Sequence, residues 1–325
     1  MNRTIAVGII LCASCAASQT PATEGNEKAS VPCVKRIFII SGHRGGGRVH
    51  APDNSMPNVL FAVNNGLTAV EVDFRLTKDG KLVLWHDSSV PRQYVRPGVA
   101  GDAAINTLSS DEVRKIRYSV TVGGKTWKNV RIVFGDELAK AAKGKINVHL
   151  DVKDVPAKKI IEFIRKHDIQ KQCMVMAKDI NYLQKICRAE LNVCLEYTDN
   201  TLGRRMVDGK LQWYPPEKQR ELYHALMKKL AATGIDALCT KGLSEEKVAI
   251  CHQYGIMVRT SAGHMKVGVK PDRYLRLGVD YALTDDPLLM AESVLKLCPG
   301  LALSKPGQTF FDLVRSLGAE VRGGK

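Results

Sequence analysis

Glu71 and Asp73 stand two residues apart in an apolar, β-branched run, Ala69–Arg75. On a strand, that spacing puts both carboxylates on one face, with Cα atoms roughly 6.8 Å apart. Two acids facing one interior repel each other and lose hydration unless a positive charge lies between them. A hard divalent cation relieves both costs through oxygen ligands alone. A second alternating stretch, "INVHLDVK" over 146–153, places Asp151 and Lys153 at a strand rim, with Asn147 and His149 as interior polar residues. A third group follows the apolar run Arg36–Ser41. There "SGHRGGG" brings His43, Arg44 and three glycines to a strand end, and Pro52-Asp53-Asn54-Ser55 stands just before a helical stretch. A titratable ring, a fixed cation and flexible backbone suit the handling of an anion.

Turn chemistry places a second imidazole. Asp79-Gly80 in "TKDGK" fits a two-residue type I′ turn. Pairing then runs back from Lys78 opposite Lys81, so that Asp73 falls opposite His86. Opposed residues of an antiparallel pair project to the same side, so Glu71, Asp73 and His86 are expected to converge. Taken singly, each feature is commonplace: a Glu-x-Asp is a solvated strand face, a His-Asp step a loop, an Asp-x-Lys a surface pair. Together they lie at strand ends and supply a cation site, acid, base and fixed positive charge.

The elements that must position these groups alternate along the chain. Short β-branched runs at 36–41, 69–75, 81–85, 146–152, 173–177, 192–197, 237–240, 257–260 and 281–283 are separated mostly by amphipathic stretches. Strand-then-helix repetition argues for a parallel sheet. The run at 81–85 is the exception, because the Asp-Gly turn makes it antiparallel to its predecessor. Setting it aside leaves eight parallel strands over about 290 residues, the size of an irregular (β/α)₈ TIM barrel with an antiparallel hairpin strand after the second barrel strand. A doubly wound sheet is the runner-up, but glycines 45–47 lack dinucleotide-binding spacing. Insertions are expected at about 88–145 and 199–216, the second carrying Arg204, Arg205, Trp213 and Tyr214.

These residues resemble the glycerophosphodiester phosphodiesterase family. The resemblance rests on "HRGG" at 43–46, "PDNS" at 52–55, "EVDFRLTKDGKLVLWHD" at 71–87, "LDVK" at 150–153 and "GVDYALTDDP" at 278–287, in order and at matching spacing. It implies metal-dependent cleavage to sn-glycerol 3-phosphate and an alcohol. It also implies His43 and His86 as the acid–base pair, and Glu71, Asp73 and Asp151 as ligands of one Mg²⁺ or Ca²⁺. Arg44 and Lys153 are implied as phosphate contacts. Three positions depart from the family pattern. Asp53 and Asp151 stand where Glu is usual, each one methylene shorter, so that a metal would move or keep an extra water. Arg259 stands where Trp is usual, which favours a more anionic substrate. Phospholipase D-like or sphingomyelinase D-like head-group cleavage, and a degenerate site binding anionic polymers, are the alternatives.

Composition frames this reading. The chain has 325 residues, 45% hydrophobic and 25% charged, with formal net charge +15. A basic balance favours acidic partners such as phosphate esters or membrane surfaces. No basic run with interleaved aromatics occurs, which argues against nucleic acid. Met1–Ser18 has a charged start, a short apolar stretch and small residues, the layout of a secretory signal peptide. Residues 1–30 are therefore read as signal and flexible linker, and 31–325 as one phosphodiesterase domain. Export to a bacterial periplasm or medium, or lipid attachment at Cys15, follows, with peripheral membrane association as a further expectation. Seven cysteines lie beyond the signal, and Cys33 with Cys298 could staple the ends of the folded region.

Overall fold

A computed structural model describes residues 37–95, 101–260, 272–298, 302–303 and 308–314. The expected leader over 1–30, and Cys33 of the expected staple, lie outside the described residues. The strands of the barrel and its hairpin are, along the chain, β1 (Ile37–Gly42), β2 (Ala69–Leu76), β3 (Leu82–Leu84), β4 (Asn147–Val152), β5 (Cys173–Ala177), β6 (Cys194–Asp199), β7 (Ala237–Thr240), β8 (Met257–Thr260) and β9 (Tyr281–Thr284). All except β3 join one parallel cycle, β1-β9-β8-β7-β6-β5-β4-β2. Pairing of Ser41 with Ala69 and of Gly42 with Val70 closes it. The sheet is therefore a barrel, and the doubly wound alternative falls.

Alternation along each strand divides the side chains. Val70, Val72 and Phe74 of β2 point outward into the main core with Val148 and Leu150 of β4, beneath helices such as Ala157–His167. The inward residues nearest the strand starts are mostly apolar: Ile39, Ala69, Met174, Cys194, Ala237, Met257 and Tyr281. Phe310 and Leu313 complete that layer and fill the N-terminal end of the barrel. Asn147 ties this segment down. Its Nδ2 donates to the carbonyls of Thr68 (3.0 Å) and Gln308 (2.7 Å), and its Oδ1 accepts from the Phe310 amide (2.9 Å). The lower end is thus plugged, so chemistry is confined to the strand C-termini, where barrel sites lie.

The hairpin register differs from the expectation by one residue. Phe74 pairs with Leu84, Arg75 with Val83 and Leu76 with Leu82. Thr77 and Lys81 then face each other across a three-residue loop, Lys78-Asp79-Gly80, with the Thr77 amide donating to the Lys81 carbonyl (2.9 Å). Gly80 takes the left-handed position (φ 76°) that ends such loops. The Asp79 carboxylate, which receives the Thr77 hydroxyl (2.7 Å) and the Ser110 amide (2.8 Å), holds the loop in place. The longer excursion that follows β3 has a small core of its own, including Val90, Ile105, Val113 and Ile116 under Phe134.

Candidate active site

Parallel pairing of β2 with β4 puts Glu71 beside His149 and Asp73 beside Asp151. One carboxylate oxygen from each of Glu71, Asp73 and Asp151 then lies within 4.8 Å of the others. Glu71 and Asp73 are almost wholly buried, at 2% and 1% exposure. Burial, then the charges of Asp73 and Asp151, push the Glu71 carboxyl well above its usual range. Three hard oxygen donors whose mutual repulsion needs relief fit a divalent cation such as Mg²⁺ or Ca²⁺. The shorter Asp151 still reaches the cluster. A carboxyl raised in the fold keeps a proton that the unfolded chain has lost, so this group destabilises the cation-free fold as pH climbs from the unfolded value toward the raised one. A divalent cation bound there would displace that proton, and its binding would tighten as pH rises.

Two fixed positive charges flank the acids. Lys153 Nζ hydrogen-bonds Asp151 and lies 3.3 Å from Asp73 Oδ1. Burial alone would lower its ammonium, but Asp151 and Asp73 overcome this and hold it raised, hence charged. Arg44 donates its backbone amide to Glu71 Oε2 (2.8 Å) and Nη1 to Asp53 Oδ2 (2.9 Å), with Nε 3.8 Å from Asp73. The Arg44 Nε–H is buried and makes no hydrogen bond among the described residues. Asp53, one methylene short, pairs with Arg44 and Arg48 rather than joining the acidic trio.

The glycine-rich loop sets these donors. Gly47 has φ 94°, and a Cβ there would sit 2.4 Å from the Asp285 carbonyl. Only glycine relieves both the dihedral and the contact. The loop packs on Asn58, whose Nδ2 donates to the carbonyls of Gly47 (2.7 Å) and Arg44 (3.2 Å). Ser55 caps the helix Met56–Asn64 that carries Asn58. Asn54 grips Asp73 from both sides: Nδ2 donates to Asp73 Oδ2 (2.8 Å), and Oδ1 accepts from the Asp73 amide (3.1 Å). His43 follows β1, and its Nδ1 meets Asp285 Oδ1 at 2.7 Å. Burial would raise the Asp285 carboxyl. The hydrogen bond and charge of His43, with Arg48 and Arg44, reverse this and leave it lowered.

The structure does not place His86 where a two-residue turn would put it. With the register shifted by one, Trp85 and not His86 lies opposite Asp73, and the Trp85 amide donates to the Asp73 carbonyl (3.0 Å). The expected pairing of His86 with Asp73 is therefore not formed. Instead, Arg75 pins the His86 carbonyl through Nε (3.0 Å) and Nη2 (2.7 Å). The half-exposed ring bonds Asp87 Oδ1 (2.7 Å).

Arg259 also departs from expectation. Its guanidinium is 3% exposed and grips Glu196 through Nε (2.9 and 2.8 Å) and Nη2 (2.7 Å). The charge is neutralised inside the barrel, so Arg259 is not a cation offered to a more anionic substrate. Burial raises the Glu196 carboxyl, and the bidentate guanidinium of Arg259, a permanent cation, opposes the rise. Burial and Arg259 hold His149 well below its usual value, hence neutral, with Nδ1 2.7 Å from Tyr281 Oη.

Sequence reasoning gave no role to three positions: Asp285, which orients His43, Asn54, which holds Asp73, and Arg75, which fixes His86. Arg75 was accessible, being two residues past Asp73 on the same strand face. Asp285 and Asn54 sat inside quoted motifs without an assigned contact, because their partners are remote in sequence.

Fold and site together define a (β/α)₈ barrel with an acidic cation cluster, two flanking cations and an oriented histidine at one mouth. A family model described as the glycerophosphoryl diester phosphodiesterase family matches residues 43–289. The chain belongs to that family. Glycerophosphodiester phosphodiesterase 1 of Rattus norvegicus is 38% identical over 81 residues, 25% of this chain and 22% of that protein, so the match spans under a quarter of that relative. A glycerophosphoryl diester phosphodiesterase structure from Parabacteroides distasonis superposes with TM-score 0.62 at 23% identity, covering 85% of this chain and 91% of that one. An Oleispira antarctica phosphodiesterase, solved with the product sn-glycerol-3-phosphate, gives TM-score 0.59 at 16% identity over 79% and 97% of the two chains.

Proposed function

We propose that the chain hydrolyses glycerophosphodiesters to sn-glycerol 3-phosphate and an alcohol, with one Mg²⁺ or Ca²⁺ held by Glu71, Asp73 and Asp151. The convergence of those three carboxylates within 4.8 Å, beside Lys153 and Arg44, supports this most. When bound, the cation supplies Lewis-acid relief of charge on the phosphoryl oxygens. Arg44 and Lys153 bind the anionic oxygens and favour the charge that develops as the new P–O bond forms. His43 directs Nδ1–H to Asp285, which leaves Nε2 with a lone pair for proton transfer. One histidine takes the proton of the attacking hydroxyl as that bond forms. The other gives a proton to the departing alcohol oxygen as the second P–O bond breaks, because an alkoxide leaves poorly. In this reading His86 is the second group.

Family membership and the product bound in the Oleispira antarctica neighbour both support the choice of glycerol phosphate as the released acid. A degenerate anion-binding site is a poorer fit, because both imidazoles, all three carboxylates and both cations are retained. Export through the N-terminal leader, and contact with a bilayer on the outer side, complete the proposal. The test is a product assay on glycerophosphocholine, glycerophosphoinositol and lysophospholipids with Mg²⁺ or Ca²⁺. Turnover should vanish in EDTA and return when the ion is restored. Turnover indifferent to EDTA would contradict the proposal.

A further inference from the structure

The insertion after β6 folds as a two-stranded ribbon, Arg204–Val207 against Lys210–Trp213. Its register pairs Arg204 with Trp213, Arg205 with Gln212, Met206 with Leu211 and Val207 with Lys210. Opposed residues share a side and the side alternates along each strand. Arg204, Met206, Leu211 and Trp213 therefore occupy one face, and Arg205, Val207, Lys210 and Gln212 the other.

The base of this ribbon is anchored at the strand C-termini, the barrel end that carries the acidic trio. The Tyr214 amide donates to the Gly203 carbonyl (2.9 Å). Trp213 lies so close on Gly242, just past β7, that a Cβ there would meet Cη2 at 2.2 Å. Arg204 covers one part of the indole at 4.0 Å and Lys247 another at 4.4 Å. The outer pair has no such cover: Met206 is 64% exposed and Leu211 45%. Both apolar side chains flank the Asp208-Gly209 turn, where Arg205 and Lys210 add positive charge against the single acid Asp208.

We propose that this ribbon docks the barrel mouth onto an acidic phospholipid bilayer. Met206 and Leu211 would enter the acyl boundary, Trp213 would lie at the head-group level, and Arg205 and Lys210 would meet lipid phosphates. The charge sign selects this occupant: acidic lipids complement the three cations of the ribbon and the +15 chain behind it. A two-residue apolar tip is far smaller than a stable protein interface requires, whereas it suits interfacial insertion. Combined with the proposed phosphodiesterase site, on which the substrate part of this inference rests, docking would present lipid-borne glycerophosphodiesters to the mouth.

Vesicle co-sedimentation separates the two. The full chain is mixed with phosphatidylcholine vesicles, with or without about 30% phosphatidylglycerol, and glycerophosphocholine turnover is followed in parallel. Wild type should bind the acidic vesicles at least about tenfold more tightly than the neutral ones. Met206→Ser/Leu211→Ser should lose about tenfold in acidic-vesicle affinity, with turnover of the soluble substrate and thermal midpoint unchanged. Arg205→Ser/Lys210→Ser should lose affinity and the salt dependence that accompanies it. Acidic-vesicle binding equal in wild type and the Met206→Ser/Leu211→Ser variant would overturn the inference and assign binding to diffuse charge. Absence of wild-type binding would overturn it as well. Vesicle binding without turnover of any phosphodiester would instead remove the proposed reaction and leave the docking surface standing.

Discussion

Replacing His43 with alanine should lower kcat by about 10²–10⁴-fold, the usual contribution of a positioned general acid or base. The fold should survive, because the ring is partly exposed (17%) and its side-chain hydrogen bond is to Asp285. Divalent-ion affinity should also survive, since His43 is not among the three clustered carboxylates. The signature is therefore a large fall in kcat with thermal midpoint and ion binding near wild type. His86→Ala should give a comparable fall if it handles the second proton. A wild-type kcat in the His43→Ala enzyme would remove the acid–base assignment, whatever the metal does.

The second large effect concerns stability. Arg259→Leu leaves Glu196 buried at 0% exposure without its bidentate partner. Removing one member of a buried ion pair costs about 3–5 kcal/mol, because the other charge stays desolvated. For a chain of this size that lowers the melting temperature by roughly 10 °C. Replacing both, as Arg259→Leu with Glu196→Leu, removes the orphaned charge and should recover most of the loss. Calorimetric melting of the two single variants and the double variant measures this coupling. If the double variant is as unstable as the sum of the singles, the pair is not coupled and Arg259 has another role.

Much of this was legible in the sequence, for identifiable reasons. Strands buried on both faces need short, β-branched, turn-bounded runs, so the eight barrel strands could be found to within a residue or two at most ends. Period two then put Glu71 with Asp73, and Asp151 with Lys153, on common faces. The contacts that failed depend on details that sequence carries weakly. A three-residue loop and a two-residue turn both suit "TKDGK", and the choice between them moved His86 by one position. Arg259 looked like a substrate cation because Glu196, 63 residues earlier, could not be recognised as its partner. Likewise Asp285 and His43 lie 242 residues apart and meet only because β9 pairs with β1.

The most direct test is calorimetric titration of Mg²⁺ or Ca²⁺ into the full chain at about pH 6 and pH 8, with wild type beside Asp73→Asn and Asp151→Asn. The account predicts one saturable ion per chain, binding that tightens and releases a proton as Glu71 gives up its raised affinity for one, and loss of that binding in both variants. No saturable binding in wild type, or binding unchanged in Asp73→Asn and Asp151→Asn, would contradict the claim that these carboxylates meet around a common cation.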